Sequence, residues 1–166
     1  MTPDNAVPPT DTTASSVSGS PAGEGDFAVT LTLDRGYRFA VDPEMPGAEA
    51  FHIDETPPLG EGSAANPSRV LASAMASCLA SSLAFCLRKA RIELKGLRVV
   101  ARGTLVRNER KRLRVGSLHV ELFPEVAEGD VDRMQRCLEI FEDFCVVTES
   151  VRHGIPVVVG VETHSS

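Results

Sequence analysis

The stretch "NPSRVLASAMASCLASSLAFCLRKA", residues 66–90, decides the fold. Asn66 followed by Pro67 marks a helix start: the Asn side chain caps the first turn, and Pro suits the first helical position. Nothing interrupts the pattern until "RKAR", 88–91, whose positive charges suit a helix C-terminus. The predicted helix ends near Ala90 and spans roughly 36 Å at ~1.5 Å per residue. Its apolar and small residues go nearly all the way round, which predicts a central helix. The small side chains permit close packing. They also leave room around two sulfurs, Cys78 and Cys86.

On the N-terminal side, "FAVTLTL" (27–33) and "YRFAVD" (37–42) alternate apolar and polar residues around the turn "DRG", which predicts a β-hairpin. "EAFHID" (49–54) is a candidate third strand, and "ETPPLGEGSAANP" (55–67) a Pro/Gly loop. On the C-terminal side, "LRVVARGTLV" and "RVGSLHVELF" form a second hairpin with the charged tip "RNERKR". Asp130 then caps a second helix. Its apolar stripe runs through Val131, Met134, Cys137/Leu138, Phe141 and Phe144/Cys145. "ESVRHG" reads as a helix end and "IPVVVGVE" (155–162) as a final strand. The order βββ-α-ββ-α-β alternates too irregularly for a doubly wound parallel sheet. It predicts an α+β fold with antiparallel sheets around two long central helices.

Residues 1–26 differ from the rest. They are rich in Pro, Ser, Thr and Gly and carry four acidic residues and no basic ones. They read as a flexible acidic tail, leaving 27–166 as one folded domain. The tail holds −4 of the net charge of −6, so the remainder is nearly neutral. An acidic chain with no Trp and a single Tyr suits neither nucleic acid nor an anionic membrane surface. No apolar run is expected to reach the ~20 residues of a membrane span. No basic stretch followed by an apolar segment opens the chain, so a cytoplasmic location is expected.

The cysteines fall as Cys78–x7–Cys86 and Cys137–x7–Cys145. Structural zinc takes cysteines two to four residues apart. Eight residues along a helix turn through about 800°, so neither pair chelates one ion, and no metal is expected. Cys86 and Cys137 read as small buried hydrophobes. Cys78 sits among Ala74, Met75, Ser81 and Ser82, framed by Leu71 and Phe85. That face accepts either a partner helix or a small substrate. If the two helices pack together, Cys78 and Cys145 come within disulfide range.

These segments resemble the OsmC/Ohr family, bacterial proteins of the osmotically inducible and organic-hydroperoxide-resistance type. The resemblance rests on Asn66-Pro67 opening the long helix, with an Ala-rich segment carrying Cys78 twelve residues after Asn66. It rests also on Cys145-Val146-Val147-Thr148, similar to the family's "C-P-V-S", and on Gly154-Ile155-Pro156-Val157, similar to its "G-x-P-V" strand. It covers about residues 27–163.

The resemblance implies an intertwined homodimer with active sites at the subunit interface. It implies that Cys78 attacks a peroxide O–O bond as thiolate and becomes a sulfenic acid. Cys145 then condenses with it to a disulfide. It implies that a dithiol reductant of the dihydrolipoyl type resets the pair by exchange, with no cofactor. Organic hydroperoxides are the expected substrates, hydrogen peroxide a poorer one. Arg35, or its neighbour Arg38, matches the family Arg that favours the thiolate. Arg38, Met75, Ser81, Ser82 and Phe85 are the expected substrate contacts.

Two positions depart from the family pattern. Ser68 stands where the family Glu holds that Arg, leaving Glu61 or Glu55 as candidate replacements. Val146 stands where the family has Pro. Two other readings of the same chain are a non-catalytic OsmC-like dimer that binds a small molecule or partner, and a thiol redox sensor.

Overall fold

A computed structural model describes residues 25–163. The tail predicted over 1–26 therefore lies outside the described residues, apart from Gly25 and Asp26. Strands β1 (Thr30–Arg35), β2 (Arg38–Asp42) and β3 (Phe51–Ile53) form an antiparallel sheet in sequence order. Leu31 pairs with Val41 and Leu33 with Phe39 in the first ladder, and Val41 pairs with Phe51 in the second. Helix α1 (Pro67–Lys89) follows, then the long hairpin β4 (Gly96–Arg107) and β5 (Leu113–Glu125). Two short helices close the described chain, α2 (Val131–Ile140) and α3 (Val146–His153). The fold is α+β with antiparallel sheets, as predicted.

Helix α1 begins where its cap residues require. The Asn66 side-chain oxygen accepts the Arg69 backbone N–H at 3.0 Å, with Pro67 at the first helical position. Such a cap contributes about 1 kcal/mol. Arg88 and Lys89 occupy the last turn.

Met75, Leu79, Leu83 and Leu87 recur every four residues and form the buried face of α1. Leu79, Leu83 and Leu87 join Ile92, Cys137, Phe141 and Cys145 in a core where α1 meets β4, β5, α2 and α3. Two residues out of phase, about 200° round the helix, Ser73, Ser77, Ser81 and Phe85 are exposed. The helix is therefore covered on one side only within a single chain. By length and composition alone it is long and apolar enough to cross a membrane, contrary to the expectation that no run reaches that length. Here its leucine face packs on protein.

Two further expectations are corrected. The second long helix is interrupted. A tighter turn over Phe141–Phe144 separates α2 from α3, so Cys145 does not end a helix but caps the start of the next. Cys145 is extended, with φ −86° and ψ 94°. The turn lets both Phe141 and Cys145 face the core, whereas a continuous helix would carry Cys145 about 40° further round. The final strand is absent: Ile155–Val161 lies outside any ladder. Val157, Val158 and Val159 are about four-fifths exposed. A β-branched run needs a sheet edge to pair with, and this run lies against none within one chain.

Candidate active site at the paired sulfurs

The structure brings Cys78 and Cys145 together. Cys78 is half-buried on the flank of α1, with the Cys145 thiol near enough to raise its pKa. Cys145 is fully buried, and its S–H donates to the Thr148 hydroxyl at 3.0 Å. The backbone break described above has a chemical consequence. Because α3 starts at Val146, its first N–H groups have no partner inside the helix. Those of Val147 and Val146 lie near enough to Cys78 to pull its pKa down. The positive end of the α3 dipole therefore lies beside this sulfur.

Competing effects set the acidity of Cys78. Burial pushes the thiol above its ordinary value, and the Cys145 thiol adds to this. The Val147 and Val146 N–H groups pull it down, but the net direction is upward. Within one chain, the neutral thiol is the favoured form.

The expected arginines lie in a second cluster at the β1–β2 turn. Arg35 donates from Nε and Nη2 to one oxygen of Glu61, at 3.3 and 3.1 Å. Glu61 therefore holds Arg35, as one of the two acids weighed to replace the residue missing at Ser68. This solvent-screened pair adds little stability, but it orients the guanidinium. Arg38 donates to the Ser63 hydroxyl at 3.2 Å and lies 3.2 Å from Asp34.

Asp54 organises the loop that carries Glu61. It is 1 % exposed and accepts both the backbone N–H and the hydroxyl of Ser63 at 2.9 Å. The Ser63 N–H is the main cause of its carboxyl lying below the usual range, with the N–H groups of Glu55 and Glu61 acting the same way. Gly60 is required beside it, since a Cβ there would sit 2.3 Å from the Glu55 carbonyl oxygen. A carboxyl with a depressed folded-state pKa stabilises fully above its unfolded value, near 3.8, and loses that contribution as pH falls through the folded value. The melting temperature should therefore drop more steeply below pH 3.8 for the natural protein than for Asp54→Asn. Parallel melting curves across that range would contradict this role.

Within one chain the two clusters are separate. Among the described residues no strand of the β1–β3 sheet packs extensively on α1, and neither Arg35 nor Arg38 is among the groups that shift Cys78. The other expected contacts are divided. Met75 is buried and lines a groove of about 450 Å³ with Leu79, Leu118, Val120, Phe141 and Thr148. Neither Cys78 nor Arg35 lines this groove, but Thr148, which accepts the Cys145 S–H, does. Ser82 is buried, whereas Ser81 and Phe85 are exposed. Phe85 packs on Phe144, with ring centroids 6.4 Å apart. Asp54 and the α3 N–H groups were not legible as site components. A lone acid before a loop carries no signal, and backbone donors have no residue code.

The family model for OsmC-like proteins matches residues 60–160, most of the described chain. The chain belongs to the OsmC-like family. Solved structures with this fold include an OsmC-like protein from Vibrio cholerae, at TM-score 0.66 and 13 % identity, covering 76 % of this chain and 93 % of that one. An organic hydroperoxide resistance protein OsmC from Legionella pneumophila has TM-score 0.59 and 17 % identity, covering 79 % and 92 %. An organic hydroperoxide resistance protein from Elizabethkingia anophelis has TM-score 0.58 and 22 % identity, covering 77 % and 89 %. No curated protein sequence matches. At these identities the likeness to OsmC-like structures establishes the fold. The sulfur pair then occupies the junction of the OsmC-like core helices.

Proposed function

We propose that this OsmC-like chain is a thiol-dependent peroxidase for organic hydroperoxides. The observation that carries the reading is the Cys78 sulfur held against Cys145 and under the first N–H groups of α3. The Cys78 thiolate attacks the distal oxygen of ROOH, the O–O bond breaks, and ROH leaves after taking a proton. The resulting sulfenic acid is met by the Cys145 thiol, which displaces water and closes the disulfide. An external dithiol, of the dihydrolipoyl type, returns the pair to thiols by exchange.

A homodimer completes the site. The exposed small-residue face of α1, which lets a second helix approach closely, and the unpaired apolar Val157–Val159 run are surfaces of the kind a second copy covers. In that assembly the Arg35 of one protomer, oriented by Glu61, approaches the other's Cys78 and favours its thiolate. The groove of about 450 Å³ beside Thr148 suits an alkyl chain. Such a pair acts in oxidative-stress defence, in the cytoplasm.

A second reading, a non-catalytic OsmC-like dimer, is favoured by one observation: Cys78 is pushed toward the neutral thiol. The test is exposure of the protein to slight excess cumene hydroperoxide, with products mapped by mass spectrometry. Trypsin leaves Cys78 with Cys86 in peptide 70–88, and Cys137 with Cys145 in 137–152. Cleavage after Phe85 and after Glu139 separates them. Peroxide loss with a Cys78–Cys145 disulfide is the expected result. An unreacted Cys78 thiol would establish the non-catalytic reading instead. A disulfide that dihydrolipoamide and thioredoxin both fail to reduce would indicate a sensor.

A further inference from the structure

Cys86 and Cys137, read from the sequence as core filler, are in direct contact. Their sulfurs lie 2.6 Å apart, although both cysteines are free. Unbonded heavy atoms rest about 3.5–4.0 Å apart, and a disulfide bond is about 2.05 Å long. The separation is far inside packing contact and close to bonding distance. Helices α1 and α2 thus already present these side chains at disulfide span.

We infer that Cys86 and Cys137 form a second dithiol site, which a small-molecule disulfide converts to a covalent bridge between α1 and α2. The site does not depend on the peroxidase reading. Cys86 and Cys78 are eight residues apart on one helix, about 12 Å, so the two pairs do not exchange directly within a chain.

The half-buried Cys86 is the entry sulfur, and Cys137, 3 % exposed, resolves. Cys86 gives its proton to solvent and attacks one sulfur of the disulfide RSSR. One RS⁻ leaves, and Cys86 carries a mixed disulfide. Cys137 then loses its proton, attacks the Cys86 sulfur and expels the second RS⁻. The protein dithiol gives up two electrons, and RSSR becomes two RSH after taking up both protons. Burial and the neighbouring Cys86 push the Cys137 thiol up to about 11, which makes its deprotonation the slower step. The bridge ties positions 51 residues apart, so it restricts the unfolded chain and stabilises the helix core.

The test uses the Cys78→Ser/Cys145→Ser variant incubated with excess glutathione disulfide, then alkylated under denaturing conditions. The expected product has no alkylated thiol and no glutathione adduct, carries a Cys86–Cys137 crosslink, and melts at a higher temperature than the reduced form. Adding Cys137→Ser should halt the reaction at glutathionylated Cys86. Two alkylated thiols, or a persistent adduct on Cys86 with Cys137 present, would overturn the inference. If the double variant does not fold by circular dichroism, the natural chain cleaved after Phe85 and Glu139 reads the same crosslink. Its absence there is equally decisive. A missing Cys78–Cys145 link leaves this result unaffected, so the two assignments fail separately.

Discussion

Cys78→Ser is expected to reduce consumption of cumene hydroperoxide to the rate of buffer alone. A serine hydroxyl in this setting stays protonated, since only a strong base would ionise it, and no histidine lines the sulfur pair among the described residues. The α3 N–H groups near position 78 would remain, but with no anion to stabilise. Cys145→Ser should behave differently. One equivalent of peroxide should be consumed per chain, and turnover with dihydrolipoamide should stop. Cys78 should then be found as a sulfenic acid, trapped by dimedone and visible by mass spectrometry. The contrast follows from position: Cys78 is half-buried and Cys145 fully enclosed, so only the first meets a substrate directly. Full peroxide consumption by Cys78→Ser would move the nucleophile elsewhere, and Cys86 is the other half-buried thiol to examine.

The second large effect is on stability. Leu83 has no exposed surface and lies between Leu79 and Leu87 in the core that also holds Cys137, Phe141 and Cys145. Leu83→Ala removes contacts from both cysteine-bearing helices and leaves a cavity that α1 cannot close without shifting. The expected cost is about 2–5 kcal/mol. In a domain of this size each kcal/mol lowers the melting temperature by about 2–4 °C. Leu113→Ala is the control: Leu113 is 52 % exposed on the hairpin, and its loss should cost about 0.5 kcal/mol or less. Thermal melts of both variants at one protein concentration check this. Equal melting temperatures would mean that the α1 leucine face is not the core.

Glu61 shows how far a local reading reaches. The absence of a carboxylate at Ser68 was visible, and Glu61 was one of two candidates in the preceding loop. The choice between Glu61 and Glu55 needed the path of that loop, which Asp54 sets through N–H groups up to nine residues away. The Val157–Val159 run shows the opposite case. Its β-branched residues favour a strand, but the predicted strand does not form, because a strand exists only where an edge is available to pair with it.

What the sequence determined by itself is what acts within a few residues. Asn66 and Pro67 start α1, Leu79, Leu83 and Leu87 repeat at helical spacing, and the alternating runs pair as hairpins. These are short-range steric and hydrogen-bonding preferences, so they need no tertiary context. What only the tertiary structure decided is that Cys86 meets Cys137, and in what electrostatic setting the Cys78–Cys145 pair expected from the resemblance sits. Cys78 faces Cys145 and the start of α3, while Cys86 faces Cys137. Both pairings depend on how α1 crosses α2 and α3, and on the turn at Phe141–Phe144 that resets the helix before Cys145. Residues 51 and more apart share a site because of packing, which no local pattern encodes.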